Sequence, residues 1–261
     1  HRREYTELLY ELVNVRNKIA KNLGFNNYVE YSLYLHKRIG YDYDDIAKFR
    51  NNVIEFIVPL CKKISEWQKE ELKLTKLEYF DTVFFAEMPK IKLFGKDLLH
   101  QLKKSFAEVD VDLSNLYDDM VENGYIDLIQ KDGKINFAIT NYLTETKMPV
   151  ITGNFKNIYL DVQVSTHEMG HSYQKYCASK KDEKYVVSPL LKYPTMEIAE
   201  MFSYSMELIM IGHIENIFEK TDYRKYCFMK IYNLVAQLPY MCLIDEFQQV
   251  IYSKENLEAS D

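Results

Sequence analysis

The hydrophobic positions of this sequence recur mainly with helical spacing. Residues 5–23 place leucine, valine and isoleucine three or four positions apart, and Gly24 follows as a helix stop. The same spacing predicts a long helix over residues 44–72, with a kink at Pro59 inside it. Only eight glycines and six prolines occur in 261 residues, so the chain has few breaks and favours long helices.

The pattern changes once, in the middle of the chain. Shorter helices are predicted over residues 96–106 and 115–129. Residues 134–142 and 149–155 are then rich in β-branched and aromatic side chains, which predicts two short strands. Helical spacing returns after Asn157 and continues nearly to the end of the chain. We therefore expect a mainly α fold with a small β element.

Charge and cysteine content narrow the classes of partner. The net charge of −6 gives no basic surface for nucleic acid or anionic lipid. No window approaches the ~18 apolar residues of a membrane span, so we expect no membrane partner either. The four cysteines, at positions 61, 177, 227 and 242, show no short paired spacing. This favours a reducing compartment, so we expect a cytoplasmic protein. The sequence does not indicate the oligomeric state.

The segment STHEMGHSYQKY, residues 165–176, carries the most informative chemistry. On a helix, His167 and His171 lie one turn apart on one face, as two ligands of a tetrahedral zinc ion must. Glu168 projects at a neighbouring angle, where a base for the attacking water of a metallopeptidase belongs. The alternative is a solvent-facing polar patch, but the apolar residues just upstream favour a buried helix. Gly170 is a weak helix former, and close packing against the helix would explain it.

A catalytic zinc needs a third protein ligand, which leaves one position open for water. In the segment YPTMEIAEMFSYSMELIMIG, Glu197, Glu200 and Glu207 lie within about 80° of one another on a helical wheel. Carboxylates on one stripe of an apolar helix are unfavourable unless they are paired or bind a metal. A hydrated stripe on an amphipathic helix is the alternative, and spacing alone leaves the choice among the three glutamates open.

These segments resemble a known family. HEMGH with the downstream PTMEIAEMFSYSME is similar to the oligoendopeptidase F branch of the thimet oligopeptidase family of zinc metallopeptidases. The resemblance extends through PVITGNFKNIYLDVQVSTHEMGHSYQKY and LPYMCLIDEFQQVIY, and more weakly from LVNVRNKIAKNLGFNNYVEY. It covers nearly the whole chain and is most specific between about residues 149 and 248.

The resemblance implies a role for each matching residue of the metal site. His167, His171 and Glu200 match the ligands of one Zn²⁺ per chain. Glu168 matches the general base, and Glu197 matches an acid that accepts a hydrogen bond from a ligand imidazole. The family hydrolyses oligopeptides, so the resemblance implies an oligopeptide substrate.

The resemblance also implies a fold and a substrate-binding edge. It indicates a mainly α, helical zincin-type fold with a small β-sheet next to the HExxH helix. The segment Gly153, Asn154 and Phe155 matches the edge that pairs with the substrate backbone. We expect a single peptidase domain, with residues 1–133 forming the helical wall of a channel. Residues 134–261 would hold the sheet and the zinc-binding helices.

One departure from the family pattern concerns transition-state stabilisation. The family has a tyrosine-rich segment with a histidine, C-terminal to the stretch that DEFQQVIY matches, and this chain has no such segment before Asp261. Tyr232 and Tyr240 precede that stretch and do not match. The chain is therefore interpreted as a fragment that lacks this segment. In the family the segment donates hydrogen bonds to the tetrahedral intermediate, and losing one such donor typically lowers the rate by a factor of ~10² or more.

Three functions remain open on the sequence. The leading hypothesis is a zinc metalloendopeptidase that cuts internal bonds of oligopeptides. A zinc carboxypeptidase with a similar helical channel would instead release single C-terminal residues. A non-catalytic peptide-binding protein stabilised by zinc would bind peptides without turnover.

Overall fold

The computed structural model describes residues 2–81, 83–180 and 194–254, and within these ranges it is mainly helical. Nine α-helices lie in the described ranges: α1 Arg2–Asn22, α2 Tyr28–Leu35, α3 Tyr43–Asn52, α4 Val58–Glu71, α5 Gly95–Val109, α6 Val111–Glu122, α7 Tyr159–Lys180, α8 Met196–Met210 and α9 Lys220–Ser253. The three described strands are β1 Ile126–Asp127, β2 Ile139–Leu143 and β3 Met148–Thr152. The predicted fold class, mainly α with a small sheet next to the HExxH helix, is confirmed.

The chain forms two compact units. The first consists of His1–Ala86 with Lys230–Asp261, and the second of Glu87–Met229. Within the first unit, the end of α9 is tied to α1, because Arg16 Nη1 donates to Tyr252 Oη at 2.6 Å. The second unit contains the sheet, α7 and α8. The predicted single domain with a division at residue 133 stays a prediction.

The predicted long helix over residues 44–72 is interrupted where proline predicts a kink. α3 and α4 are joined by a π-helical turn, Val53–Ile57, and Pro59 stands in the first turn of α4. The Val58 N–H donates to the Val53 carbonyl, five residues back instead of four. A proline ring clashes with the carbonyl four residues before it, and the wider turn relieves this clash.

The helix predicted over residues 115–129 ends earlier than expected. α6 stops at Glu122, and Gly124 adopts a left-handed backbone with φ +73. The Tyr125 N–H then donates to Met120 and the Gly124 N–H to Val121, which is a Schellman ending. Beyond this ending, Ile126 and Asp127, which were predicted to be helical, form strand β1 instead. The two strands predicted over residues 134–142 and 149–155 are present with shifted bounds, as β2 Ile139–Leu143 and β3 Met148–Thr152.

The small sheet has strand order β1-β3-β2, and β3 runs parallel to β1 and antiparallel to β2. Ile151 of β3 is aligned with Ile126 of β1 and with Thr140 of β2. Both β2 and β3 contact α7, so the sheet lies directly against the helix that carries the HEMGH segment.

Helix α9 differs from one expectation. It is long and apolar enough, by length and composition alone, to cross a membrane, and 11% of its most apolar window is buried. The expectation that no window approaches a membrane span was therefore wrong for this helix. A single such helix is weak evidence for a membrane protein. The absence of a membrane partner stays a prediction.

Helices α7 and α8 of the second unit pack closely against each other at Gly170. A Cβ atom added at Gly170 would lie 2.6 Å from the Ser203 Cα and 2.7 Å from the Phe202 carbonyl oxygen of α8. It would also lie 3.0 Å from the Met206 Cβ. The two nearest neighbours are backbone atoms, which cannot rotate away. Glycine at this position therefore sets how near α8 approaches α7.

Gly170→Ala should destabilise the protein although alanine is the better helix former. Propensity alone would stabilise the helix by about 1 kcal/mol. Overpacking against α8 is expected to reverse this and lower the free energy of unfolding by about 1–3 kcal/mol. Urea unfolding followed by circular dichroism measures the difference.

Gly212→Ala is the matched control, because nothing lies within 4 Å of a Cβ added at Gly212. We expect its free energy of unfolding to change by less than about 1 kcal/mol. A Gly170→Ala protein as stable as the parent would contradict the close packing.

Candidate metal centre

The two histidines of α7 point to one place, as their spacing predicts. Their ring centroids lie 4.9 Å apart, and both side chains are half-buried. They are four positions apart, which is slightly more than one helical turn, so the rings stand one above the other. The helix alone therefore supplies two converging nitrogen donors.

Glu200 of α8 completes a group of three donors. Its Oε2 lies 3.3 Å from His167 Nε2, and its Oε1 lies 3.7 Å from His171 Nε2. One donor atom from each of the three residues lies within 4.8 Å of the others. Tetrahedral zinc with bonds of about 2.0–2.1 Å holds its ligand atoms roughly 3.3–3.5 Å apart. The three donors therefore fit an ion of this kind, and the structure brings together all three predicted ligands.

A buried carboxylate fixes the orientation of the first imidazole. Glu207 is 1% exposed, and its Oε1 lies 2.8 Å from His167 Nδ1. A hydrogen bond at Nδ1 leaves Nε2 as the free donor of this ring, on the side of Glu200. Sequence reasoning gave this role to Glu197, which lies exposed in the first turn of α8. The role of Glu197 stays a prediction, whereas the contact with His167 belongs to Glu207.

Glu168 occupies a buried position next to the donors. It is 7% exposed, and the Thr140 hydroxyl of β2 donates to its Oε2 at 2.5 Å. Burial raises the pKa of Glu168, while the Thr140 hydrogen bond and the neighbouring His167 lower it. The side chain is thus held in one orientation by the sheet. Sequence reasoning did not identify Thr140, because its contact joins residues 28 positions apart without a local pattern.

Burial and the neighbouring charges shift the pKa values of the two imidazoles in opposite directions. Burial lowers the pKa of His171. Burial also lowers the pKa of His167, but the contact with Glu207 and the charges of Glu168 and Glu200 outweigh it, and the pKa is raised overall. Three carboxylates thus surround His167 and favour a cation there.

Backbone groups of β2 face away from the sheet at its outer edge. The Ile151 N–H donates to the Tyr125 carbonyl at 2.8 Å on the β1 side. Opposite residues of an antiparallel pair exchange both hydrogen bonds or neither, so Thr140, aligned with Ile151, directs its N–H and C=O outward. Tyr142, two residues on, is aligned with Pro149, which has no N–H to donate. Among the strands that the structure describes, β2 therefore offers a free edge beside Glu168.

The segment predicted to bind substrate has other partners. The Gly153 N–H donates to Asp127 at 2.9 Å, and the Phe155 N–H donates to Leu128 at 3.1 Å. The Asn154 side chain accepts from the Lys131 N–H at 2.9 Å. These groups hold the loop beside β1, so Gly153 and Phe155 have no unpaired N–H for a peptide. The role of Gly153, Asn154 and Phe155 in substrate binding stays a prediction, whereas the free strand edge lies on β2.

Comparison with known proteins agrees with this geometry. The sequence model of peptidase family M3 matches residues 90–261. No curated protein sequence matches the chain at a significant level. The crystal structure of a candidate oligoendopeptidase F from Bacillus anthracis strain Ames is 31% identical with a TM-score of 0.87, and covers 98% of this chain. PZ peptidase A, solved with an inhibitor, is 33% identical with a TM-score of 0.86, and covers 97%.

A more distant structure shows the fold alone. The candidate peptidase from Chlamydophila abortus has a TM-score of 0.67 at 17% identity, and covers 96% of this chain and 40% of its own. The chain spans 46% of the Bacillus anthracis protein and 44% of PZ peptidase A. Both the family match and the structural likeness include the helices that carry His167, His171 and Glu200. The resemblance inferred from HEMGH is confirmed, and the chain belongs to peptidase family M3.

Proposed function

We propose that this chain carries the metal centre of a zinc metalloendopeptidase that hydrolyses internal peptide bonds of oligopeptides. His167, His171 and Glu200 would hold one zinc ion. The observation that carries the proposal is the spacing of the donor atoms, 3.3 and 3.7 Å from the Glu200 oxygens to the two Nε2 atoms. Two imidazoles and one carboxylate are the ligand chemistry of a catalytic zinc site.

Polarisation of a peptide carbonyl and acidification of a water are the chemistry that zinc supplies when bound. Glu168 would accept a proton from the attacking water as the new C–O bond forms. It would then pass this proton to the amine nitrogen as the C–N bond breaks. Its buried position and the hydrogen bond from Thr140 support this role, because they fix the carboxylate beside the donors.

The free edge of β2 is the proposed support for the substrate. An extended peptide paired with the outward N–H and C=O groups of Tyr142 and with the outward N–H of Thr140 would gain backbone hydrogen bonds regardless of its side chains. It would also run past Glu168, because the Thr140 hydroxyl touches that carboxylate. Such pairing requires an extended chain, so it supports oligopeptides as substrates.

We also propose that the protein works in the cytoplasm. All four cysteines, Cys61, Cys177, Cys227 and Cys242, are free thiols, as expected in a reducing compartment. Retention of activity under reducing conditions would be consistent with this location.

Glu168→Gln tests the proposed reaction most directly. Both the parent chain and this variant should bind about one zinc per chain by atomic absorption. Hydrolysis of an internally quenched peptide should fall by at least about 10²-fold in Glu168→Gln, because glutamine accepts no proton.

Glu145→Gln in the exposed turn after β2 is the matched control and should keep the parent rate. Full activity in Glu168→Gln, or a parent protein that binds no zinc, would contradict the proposal. Release of single C-terminal residues without internal cuts would favour the carboxypeptidase alternative. Peptide binding without turnover would favour the non-catalytic one.

Glu207→Ala should weaken zinc binding without removing a ligand. His167 would lose the acceptor that orients its ring, and such losses typically lower metal affinity about 10–100-fold. Competition with a chromogenic chelator measures the dissociation constant.

Glu197→Ala is the control for Glu207→Ala, since Glu197 and Glu207 are both glutamates of α8. We expect its zinc affinity to stay within about threefold of the parent, as for an exposed side chain. A larger loss in Glu197→Ala than in Glu207→Ala would assign the orienting role to Glu197 instead.

Thr140→Val should move the acid limb of the kcat/KM profile to higher pH. The hydroxyl lowers the pKa of Glu168 by donating to its carboxylate, so its removal lets the pKa rise. A base with a higher pKa loses its ionised form at a higher pH as the solution is acidified.

Thr140→Ser keeps the hydroxyl and should keep the parent profile. Thr140→Val and Thr140→Ser are compared with the same metal bound, so that they differ mainly in the hydrogen bond to Glu168. An acid limb of Thr140→Val at the parent pH or below would contradict this interpretation.

A further inference from the structure

Lys175 lies on the same face of α7 as the metal donors but has no role in the proposed reaction. It follows His171 by four residues and Glu168 by seven, so it stands one and two turns further along this face. Side chains of a helix lean toward its N-terminus, which brings the ammonium back toward the site. Its Nζ donates to the Thr140 carbonyl oxygen at 3.3 Å.

The charge of Lys175 is poorly compensated where it lies. The side chain is half-buried, and in the described part of the chain its ammonium has one acceptor, the neutral Thr140 carbonyl. No carboxylate oxygen of the described residues lies within 4.0 Å of it. Burial lowers the pKa of Lys175, against the weaker attraction of Glu168 and Glu200. An ammonium has three donors, so two remain available beside the site.

Thr140 places this ammonium close to both the base and the free edge. Its hydroxyl contacts the Glu168 carboxylate, and its outward carbonyl contacts Lys175. A peptide that pairs with β2 therefore meets the positive charge of Lys175 at Thr140, where the outward carbonyl already accepts a hydrogen bond from Lys175. The backbone ladder between peptide and strand ends at that point. A group with two acceptor oxygens and a negative charge is the chemistry that fits there.

We propose that Lys175 binds a carboxylate of the peptide substrate beside the metal centre and so selects substrates. This inference rests on the proposed function. The carboxylate is either the C-terminus of a short peptide or an acidic side chain, and the two share the same chemistry. Binding of a C-terminus this close to Glu168 would direct cleavage to the last few bonds of the peptide.

Matched peptides test the proposal by binding, without turnover. The zinc-loaded 261-residue chain carrying Glu168→Gln is titrated into fluorescein-labelled pentaalanine, as the free acid and as the C-terminal amide. Fluorescence anisotropy gives the two dissociation constants. We expect the free acid to bind at least about tenfold more tightly, as for a charge-assisted hydrogen bond.

Substitution of Lys175 shows whether this preference depends on its charge. Lys175→Met keeps the aliphatic length, and the ratio of the two dissociation constants should fall to about one. Lys175→Arg keeps the charge and should keep a preference for the acid. Lys180→Met, an exposed lysine of the same helix, is the control and should leave the ratio unchanged.

A third peptide separates the two sources of the carboxylate. It is the amidated pentaalanine with glutamate at its fourth position. Binding as tight as that of the free acid indicates an acidic side chain, and binding as weak as that of the plain amide indicates the C-terminus. An acid-to-amide ratio that is unchanged in Lys175→Met overturns the inference, as does equal binding of all three peptides to the parent.

The proposed function can fail independently of this inference. A parent chain that binds zinc and hydrolyses the quenched peptide, with an unchanged ratio in Lys175→Met, retains the proposed function and loses the inference. A chain without hydrolysis whose acid preference disappears in Lys175→Met loses the proposed function, while Lys175 remains a carboxylate-binding residue.

Discussion

The candidate metal centre depends on the close contact between α7 and α8 at Gly170. Because a Cβ atom there would overlap the backbone of Ser203 and Phe202, only glycine lets the two helices approach this far. The approach brings the Glu200 oxygens to 3.3 Å from His167 Nε2 and 3.7 Å from His171 Nε2. A separation larger by one methyl group would leave two histidines on one helix without their third donor. Helix packing thus determines the relative positions of the three candidate ligands.

Three further groups hold the site in place, each from a different element. Glu207 of α8 fixes the ring of His167, and Thr140 of β2 fixes Glu168. Lys175 connects the same strand back to α7 through the Thr140 carbonyl. The small sheet therefore orients Glu168, the proposed base, and presents a free backbone edge beside it. This double role gives a reason why a mainly helical protein has a small sheet whose strands β2 and β3 lie against its HEMGH helix.

The parts of the site that follow from local periodicity were predictable from the sequence. The spacing of His167 and His171 fixes their common face, and one helical stripe holds the glutamates. The contact of His167 with Glu207 depends on how α8 is placed along α7, which no local pattern encodes. Thr140 and Lys175 meet through a strand-to-helix contact and could not be predicted. Pro59 predicted a kink but not its π-helical form, in which the Val58 N–H donates to the Val53 carbonyl five residues back.

A crystal structure of the zinc-loaded chain, with anomalous scattering at the zinc edge, would show whether these three side chains hold the ion. We expect one peak bonded to His167 Nε2, His171 Nε2 and a Glu200 oxygen, at about 2.0–2.2 Å from each. We also expect Glu168 to lie beside this peak without binding it. A peak elsewhere in the protein, or no peak between these three side chains at saturating zinc, would contradict the proposed metal centre.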